Sequence, residues 1–235
     1  MPLSAKDEGL IRLFMTASFH QWDQLPALGK VCLEAGNSAA ELRGCIRHMS
    51  VLAGYAPCLA ATATLTKAGV LGESEPGKAG GPPGNAFNLV YNGVVSNVWS
   101  RLYTIDGVLA EWIRLHAYGD VYSNPGLSLQ QKQLITSAFL SEANMHDEMF
   151  GHLLAAMRFG ADEAACRAAI EIAFRASPAV QPPHEEHPVY RNALGVLSKA
   201  VDKVQRDGLQ GSMADAEVLF LDETCVRLPQ LPDAQ

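Results

Sequence analysis

Two stretches of this chain carry the same amphipathic stripe in the same setting. In SAAELRGCIRHMSVLA (38–53), Leu42, Cys45, Ile46, Met49 and Leu52 recur at three- and four-residue steps, so they share one face of a helix. In DEAACRAAIEIAF (162–174), Cys166, Ala169, Ile170, Ala173 and Phe174 form the matching face. A glycine precedes each stretch, Gly36 and Gly160, which sets the shift between them at 124 residues. Ser38 with Glu41 fits a capping box, and Asp162 fits an N-cap. At the same shift Leu10 meets Leu134, Ile11 meets Ile135, Asp23 meets Asp147 and Arg43 meets Arg167. One register held over roughly 40 residues reads as an internal duplication, with repeats near 8–70 and 126–200. Two helical hairpins aligned by chance remain the alternative.

Helical periods dominate elsewhere and no series of alternating strands stands out, so the expected fold class is all-α. With 235 residues, 48% of them hydrophobic, the chain can bury one sizeable core or two small packed ones. GESEPGKAGGPPGN (72–85) has no helical period and reads as a linker. QPPHEEHP (181–188) is a second break, and LPQLPDAQ (228–235) reads as a tail. The expected organisation is a first degenerate repeat (1–71), a linker with an aromatic connecting segment (72–125), a second repeat (126–227) and the tail (228–235). The connecting segment holds Trp99, Tyr103, Trp112, Tyr118 and Tyr122, enough aromatic area to clamp the halves or face another subunit. His116 and Tyr122 are further candidates for the wall of a pocket.

A formal net charge of −7 without a basic patch argues against a nucleic-acid partner. The N-terminal MPLSAKDEGLIRLF carries early charges and no long apolar run, so neither a signal peptide nor a membrane span is expected. A cytoplasmic location follows as the expectation, with an organelle lumen open. Five cysteines without a C-x-x-C pair argue against a disulfide framework and against structural zinc. No metal site is expected: His184 and His187 lie among Pro182, Pro183 and Pro188 and read as a solvated loop.

Candidate chemistry concentrates in HDEMFGHLLAAMRFGAD (146–162). Glu148 and His152 are four apart, so they lie on one helical face, where a carboxylate can orient an imidazole and raise its pKa. His146 pairs with Glu142 at the same spacing if the helix extends that far back. The plainer reading is a decorated helix start with a partly buried histidine. Arg43 and Arg167 read as a shared structural salt bridge.

Residues 127–174 resemble the core of the carboxymuconolactone decarboxylase and alkylhydroperoxidase D-like superfamily. The resemblance rests on the order Leu127-Ser128, His152 with Ala155 and Ala156, Gly160, then Asp162-Glu163. CIRHMSVLAGYAPCLAA (45–61) resembles a later family segment. The peroxidase branch uses Glu-x11-Cys-x2-Cys-x3-His; here Gln133, Met145 and Glu148 stand before His152 in those places. A thioether cannot serve as nucleophile or resolving thiol, so residual peroxidase activity would need Cys58 or Cys166 exposed with a depressed pKa. The resemblance to the decarboxylase branch implies a cofactor-independent lyase or isomerase acting on a small carboxylated or lactone-like metabolite. It implies His152, Glu148 and His146 as catalytic candidates, with Glu142, Gln133 and Met145 toward the substrate. The first repeat has Leu28 and Gln24 where the second has His152 and Glu148, so it is expected to be blank. The family likeness further implies two tandem bundles packed as a pseudo-dimer, assembling as a homo-oligomer, a trimer of pseudo-dimers. A non-catalytic scaffold or assembly subunit is the alternative function.

Overall fold

The computed structural model describes residues 3–73, 85–180 and 184–209, and all regular structure among them is helical. The linker centre (74–84), the prolines at 182 and 183, Cys225 and the tail lie outside the described residues.

Four helices make the first half: α1 (Ala5–Ser18), α2 (Leu25–Glu34), α3 (Ala39–His48) and α4 (Tyr55–Lys67). A connecting layer follows: α5 (Ala86–Tyr91), α6 (Val95–Ile105), α7 (Gly107–Trp112) and a π-helical stretch, Ile113–Tyr122. The last four are α8 (Leu129–Glu142), α9 (His146–Arg158), α10 (Glu163–Ala176) and α11 (Pro188–Asp207).

Local chemistry sets the helix ends. The Ser38–Glu41 capping box forms in both directions, and the Asp162 side chain accepts from Ala165 N. Ser4 and Ser128, 124 residues apart, cap α1 and α8 by accepting from Asp7 N and Gln131 N. Both capped helices have 14 residues. After α1 and α8 the chain turns through left-handed residues at matching places, His20 (φ 59°) and Asn144 (φ 58°). Gly36 (φ 95°) and Gly160 (φ 101°) end the next pair of helices in a conformation that side chains resist. Across the middle, Gln131 Nε2 donates to Asp7 Oδ1 at 2.8 Å, joining positions 124 apart in sequence.

One apolar core runs from Leu10, Phe14 and Ile46 in the first half to Leu153, Ile170, Phe174 and Leu197 in the second. α1 and α8 sit at its centre: α1 packs on α2, α8 and α10, while α8 packs on α9 and α10. Burial on this scale is the main stabilising term, about 25 cal/mol per Å² of apolar surface. The connecting layer forms a second cluster of Phe87, Val90, Trp99, Tyr118 and Tyr122, closed against Ala155 of α9. It ties to α9 through Arg158, which donates to the carbonyls of Leu89 and Val90. Toward the first half, Tyr55 and His116 hydrogen-bond at 2.6 Å.

Several expectations need correction. Among the described residues Arg43 and Arg167 share no salt bridge: Arg43 donates to the carbonyls of Leu71, Gly72 and Glu73, while Arg167 pairs with Glu163 at 2.9 Å. His184 is not solvated, because its ring packs edge-on against Tyr190, 5.0 Å between centroids. Among the described residues no helix is long and apolar enough to cross a membrane, and no three potential ligands cluster for a metal.

Candidate functional site

The left-handed turn at Asn144 ends α8 at Glu142 and restarts the chain as α9 at His146. Glu142 and His146 therefore lie on different helices. Glu142 accepts a 2.7 Å bond from Ser177 Oγ, and among the described residues the buried His146 Nε2 has no partner. Met145, at the N-cap of α9, is 46% exposed. Glu148 is also exposed, and among the described residues nothing hydrogen-bonds it to His152. The expected Glu148–His152 dyad is thus absent.

His152 is held from α8 instead. Its Nδ1 lies 2.7 Å from Oε1 of the fully buried Gln133. An amide oxygen only accepts, so Nδ1 carries the proton and donates. Burial lowers the imidazole to about 4, opposite to the rise expected from a carboxylate neighbour. At neutral pH the ring is therefore neutral, with its lone pair on Nε2.

Next to this pair lies a polar knot that the motif search missed. His48, the last residue of α3, is fully buried, and its Nε2 is 2.9 Å from Thr136 Oγ1. Tyr122 OH reaches the same oxygen at 2.7 Å. Thr136 has one hydroxyl proton and donates it to the Lys132 carbonyl at 2.8 Å. Tyr122 OH and His48 Nε2–H must then both donate to Thr136. That fixes His48 as the Nε2–H tautomer and leaves Nδ1 as a buried acceptor without a partner among the described residues. Gln133 Nε2 is likewise a buried donor without a partner among them. The Tyr122 ring bridges the two histidines, edge-on to His48 at 4.7 Å and stacked toward His152 at 6.5 Å. Burial, then the charges of Lys132 and His152, push His48 down to about 3.

Lys132 is 3% exposed and donates at 2.6 Å to the carbonyls of Tyr122 and Asn124. No carboxylate pairs with it among the described residues. Burial lowers it to about 8, so it remains mostly an ammonium at neutral pH. An unpaired buried cation favours anions beside it. His116 stands apart from this centre, bound to Tyr55 and 3.3 Å from Asp120.

The thiols have the wrong character for peroxide chemistry. Burial pushes Cys32 up to about 11 and Cys166 up to about 12, and raises Cys45 and Cys58 as well. Cys58 donates to the Ile46 carbonyl. A thiol held protonated at neutral pH is a poor nucleophile.

One sequence signal could have flagged part of this centre: Lys132 and Gln133 precede, and Thr136 interrupts, the apolar stretch 134–140 of α8, and all three are buried. The chain matches no family model and no curated protein sequence.

Proposed function

We propose that the chain is a tandem pair of carboxymuconolactone-decarboxylase-like repeats packed as an internal pseudo-dimer, working as a cofactor-independent lyase or isomerase. The substrate is a small carboxylated or lactone-like metabolite, and His152 is the acid/base group. The observation that carries the reading is the 2.7 Å Gln133–His152 contact, which leaves Nε2 as a free base. The resemblance places Gln133 and His152 at the family's Glu and His positions. Matching caps and left-handed turns at a shift of 124 residues support the duplication.

In this scheme His152 Nε2 takes the proton from the carbon next to the substrate carbonyl. The C–H electron pair moves onto the carbonyl oxygen as an enolate, and His152 becomes an imidazolium. That proton returns to a different carbon in an isomerisation; in a decarboxylation no C–H proton is removed, the C–C electron pair forms the enolate as CO2 leaves, and a protonated His152 delivers its proton to the carbon. Gln133 Nε2, an unpartnered buried donor, would bond the developing oxyanion. Lys132 supplies positive potential for the substrate carboxylate. A bound anion would also raise His152 from about 4 toward the range useful for proton transfer.

The test is deuterium incorporation next to the carbonyl of lactone carboxylic acids in D2O, followed by proton NMR. Wild-type protein should catalyse the exchange and His152→Gln should not. Equal exchange by both, or none above buffer with wild type across the panel, would sink the enzymatic reading.

A second reading, an assembly subunit, is favoured by an apolar surface on the connecting layer. Ile105, Val108 and Trp112 are 68%, 63% and 66% exposed, and Tyr55 and Leu59 of α4 are 60% and 68% exposed. Surfaces of this kind commonly mark contacts with other chains. A trimer of pseudo-dimers is the arrangement to test, by sedimentation; Trp112→Glu should shift such an assembly to monomer.

A further inference from the structure

The first repeat has Leu28 where the second carries His152, but polar and charged groups gather elsewhere along the same helices. A groove of about 550 Å³ opens between α1, the start of α2 and the end of α10. Its walls hold Arg12, Thr16, Gln21, Gln24, Ile172 and Arg175, with the Glu8 carboxylate beside Arg12. Shifted by 124 residues, Arg12 corresponds to Thr136, Gln21 to Met145 and Gln24 to Glu148, while Ile172 corresponds to His48. Arg12 and Ile172 thus stand where Thr136 and His48 meet in the other centre, while Leu28, the counterpart of His152, does not line the groove.

Its chemistry has changed with its shape. Two guanidinium groups face it from different walls, Arg12 on α1 and Arg175 on α10. Neither is tightly held. Arg12 is 3.8 Å from Glu8, beyond hydrogen-bond range, and Arg175 meets Glu171 at the long distance of 3.4 Å. Their side chains are 53% and 64% exposed. A guanidinium presents a fork that matches a carboxylate with two parallel bonds, so loosely engaged forks gain most from a carboxylate ligand. Between them, buried Ile172 offers an apolar floor, and the Gln24 amide and the buried Thr16 hydroxyl offer polar contacts. The volume lies in the range of small-molecule sites.

We infer that this groove is a second binding site, for a small dicarboxylate whose two ends engage Arg12 and Arg175 and whose hydrocarbon middle lies on Ile172. The correspondence with the His152 centre rests on the duplication proposed above, but binding here does not depend on any activity of His152.

The experiment is calorimetric titration of the full chain with succinate and glutarate, with acetate as the single-carboxylate control. At least one dicarboxylate should bind saturably, at least tenfold more tightly than acetate. Arg12→Gln and Arg175→Gln should each weaken it at least tenfold, and His152→Gln should leave it unchanged. In wild-type protein the side-chain amide signals of Gln21 and Gln24 should shift on titration, a readout that needs no variant. Failure of both dicarboxylates to bind, still amide signals, or binding that survives both arginine substitutions would overturn the inference. Binding lost only in His152→Gln would also overturn it, since the ligand would then occupy the other centre.

Discussion

Gln133 of α8 and His152 of α9 meet through a single bond, Nδ1–H to Oε1 at 2.7 Å, and this bond decides which ring nitrogen of His152 can act as a base. Replacing the amide by a carboxylate keeps the geometry and adds a negative charge. Gln133→Glu should raise the His152 pKa by two units or more from about 4. Imidazole nitrogen NMR across a pH series gives the answer directly. A His152 that titrates near 6.5 in wild type would mean that the ring is not buried as described.

Stability should fall as the solution is made mildly acidic. His48 and His152 are held neutral down to about 3 and 4, whereas in the unfolded chain each takes up a proton near pH 6.5. Between those limits the unfolded state binds more protons, so stability is lost as pH drops through 6.5 and regained as it rises. With both groups contributing, the slope approaches roughly 2.7 kcal/mol per pH unit. Urea unfolding at pH 7, 6 and 5 measures it, and His48→Gln should roughly halve the slope. A flat profile from pH 7 to 5 would contradict the buried neutral pair.

Thr136→Val is nearly isosteric and removes the oxygen on which Tyr122 and His48 converge. Two buried donors lose their acceptor, each loss costing about 1–3 kcal/mol. A destabilisation near 3 kcal/mol is expected, read as a lower urea midpoint at unchanged slope. A change below about 0.5 kcal/mol would show that the knot contributes little.

Gly126 connects the aromatic layer to α8 with φ +113°, and a Cβ there would lie 2.8 Å from the Ala40 carbonyl oxygen. Backbone strain and collision act together, so Gly126→Ala should cost about 2–4 kcal/mol. Gly151 has open space around its Cβ position. Gly151→Ala, inside α9, should instead stabilise by roughly 0.5–1 kcal/mol. Thermal melting of the two variants should move in opposite directions.

What the sequence disclosed was local. The stripes of α3 and α10 and their caps could be read because each depends on neighbours within one or two turns. The Glu148–His152 pairing failed for the same reason: four-residue spacing shows that two side chains share a face, not which of them turns inward. Asn144 could have shown where α8 stops, since asparagine tolerates the left-handed region; its counterpart His20 adopts the same conformation, and histidine too is enriched there. His48, Tyr122 and Thr136 converge from three separate elements. Only the polar residues inside buried α8 hinted at that meeting.

The Asp7–Gln131 bond has a consequence for how such a chain can change. In a dimer of two identical chains, a residue on the twofold axis faces its own copy, so an acid there confronts an acid. Once both copies are written into one polypeptide, each side of the contact mutates alone, and a carboxylate can be set against an amide. On the duplication reading, joining the copies is what allowed one of two equivalent seams between the halves to keep a buried histidine centre while the other opened a groove lined with arginines.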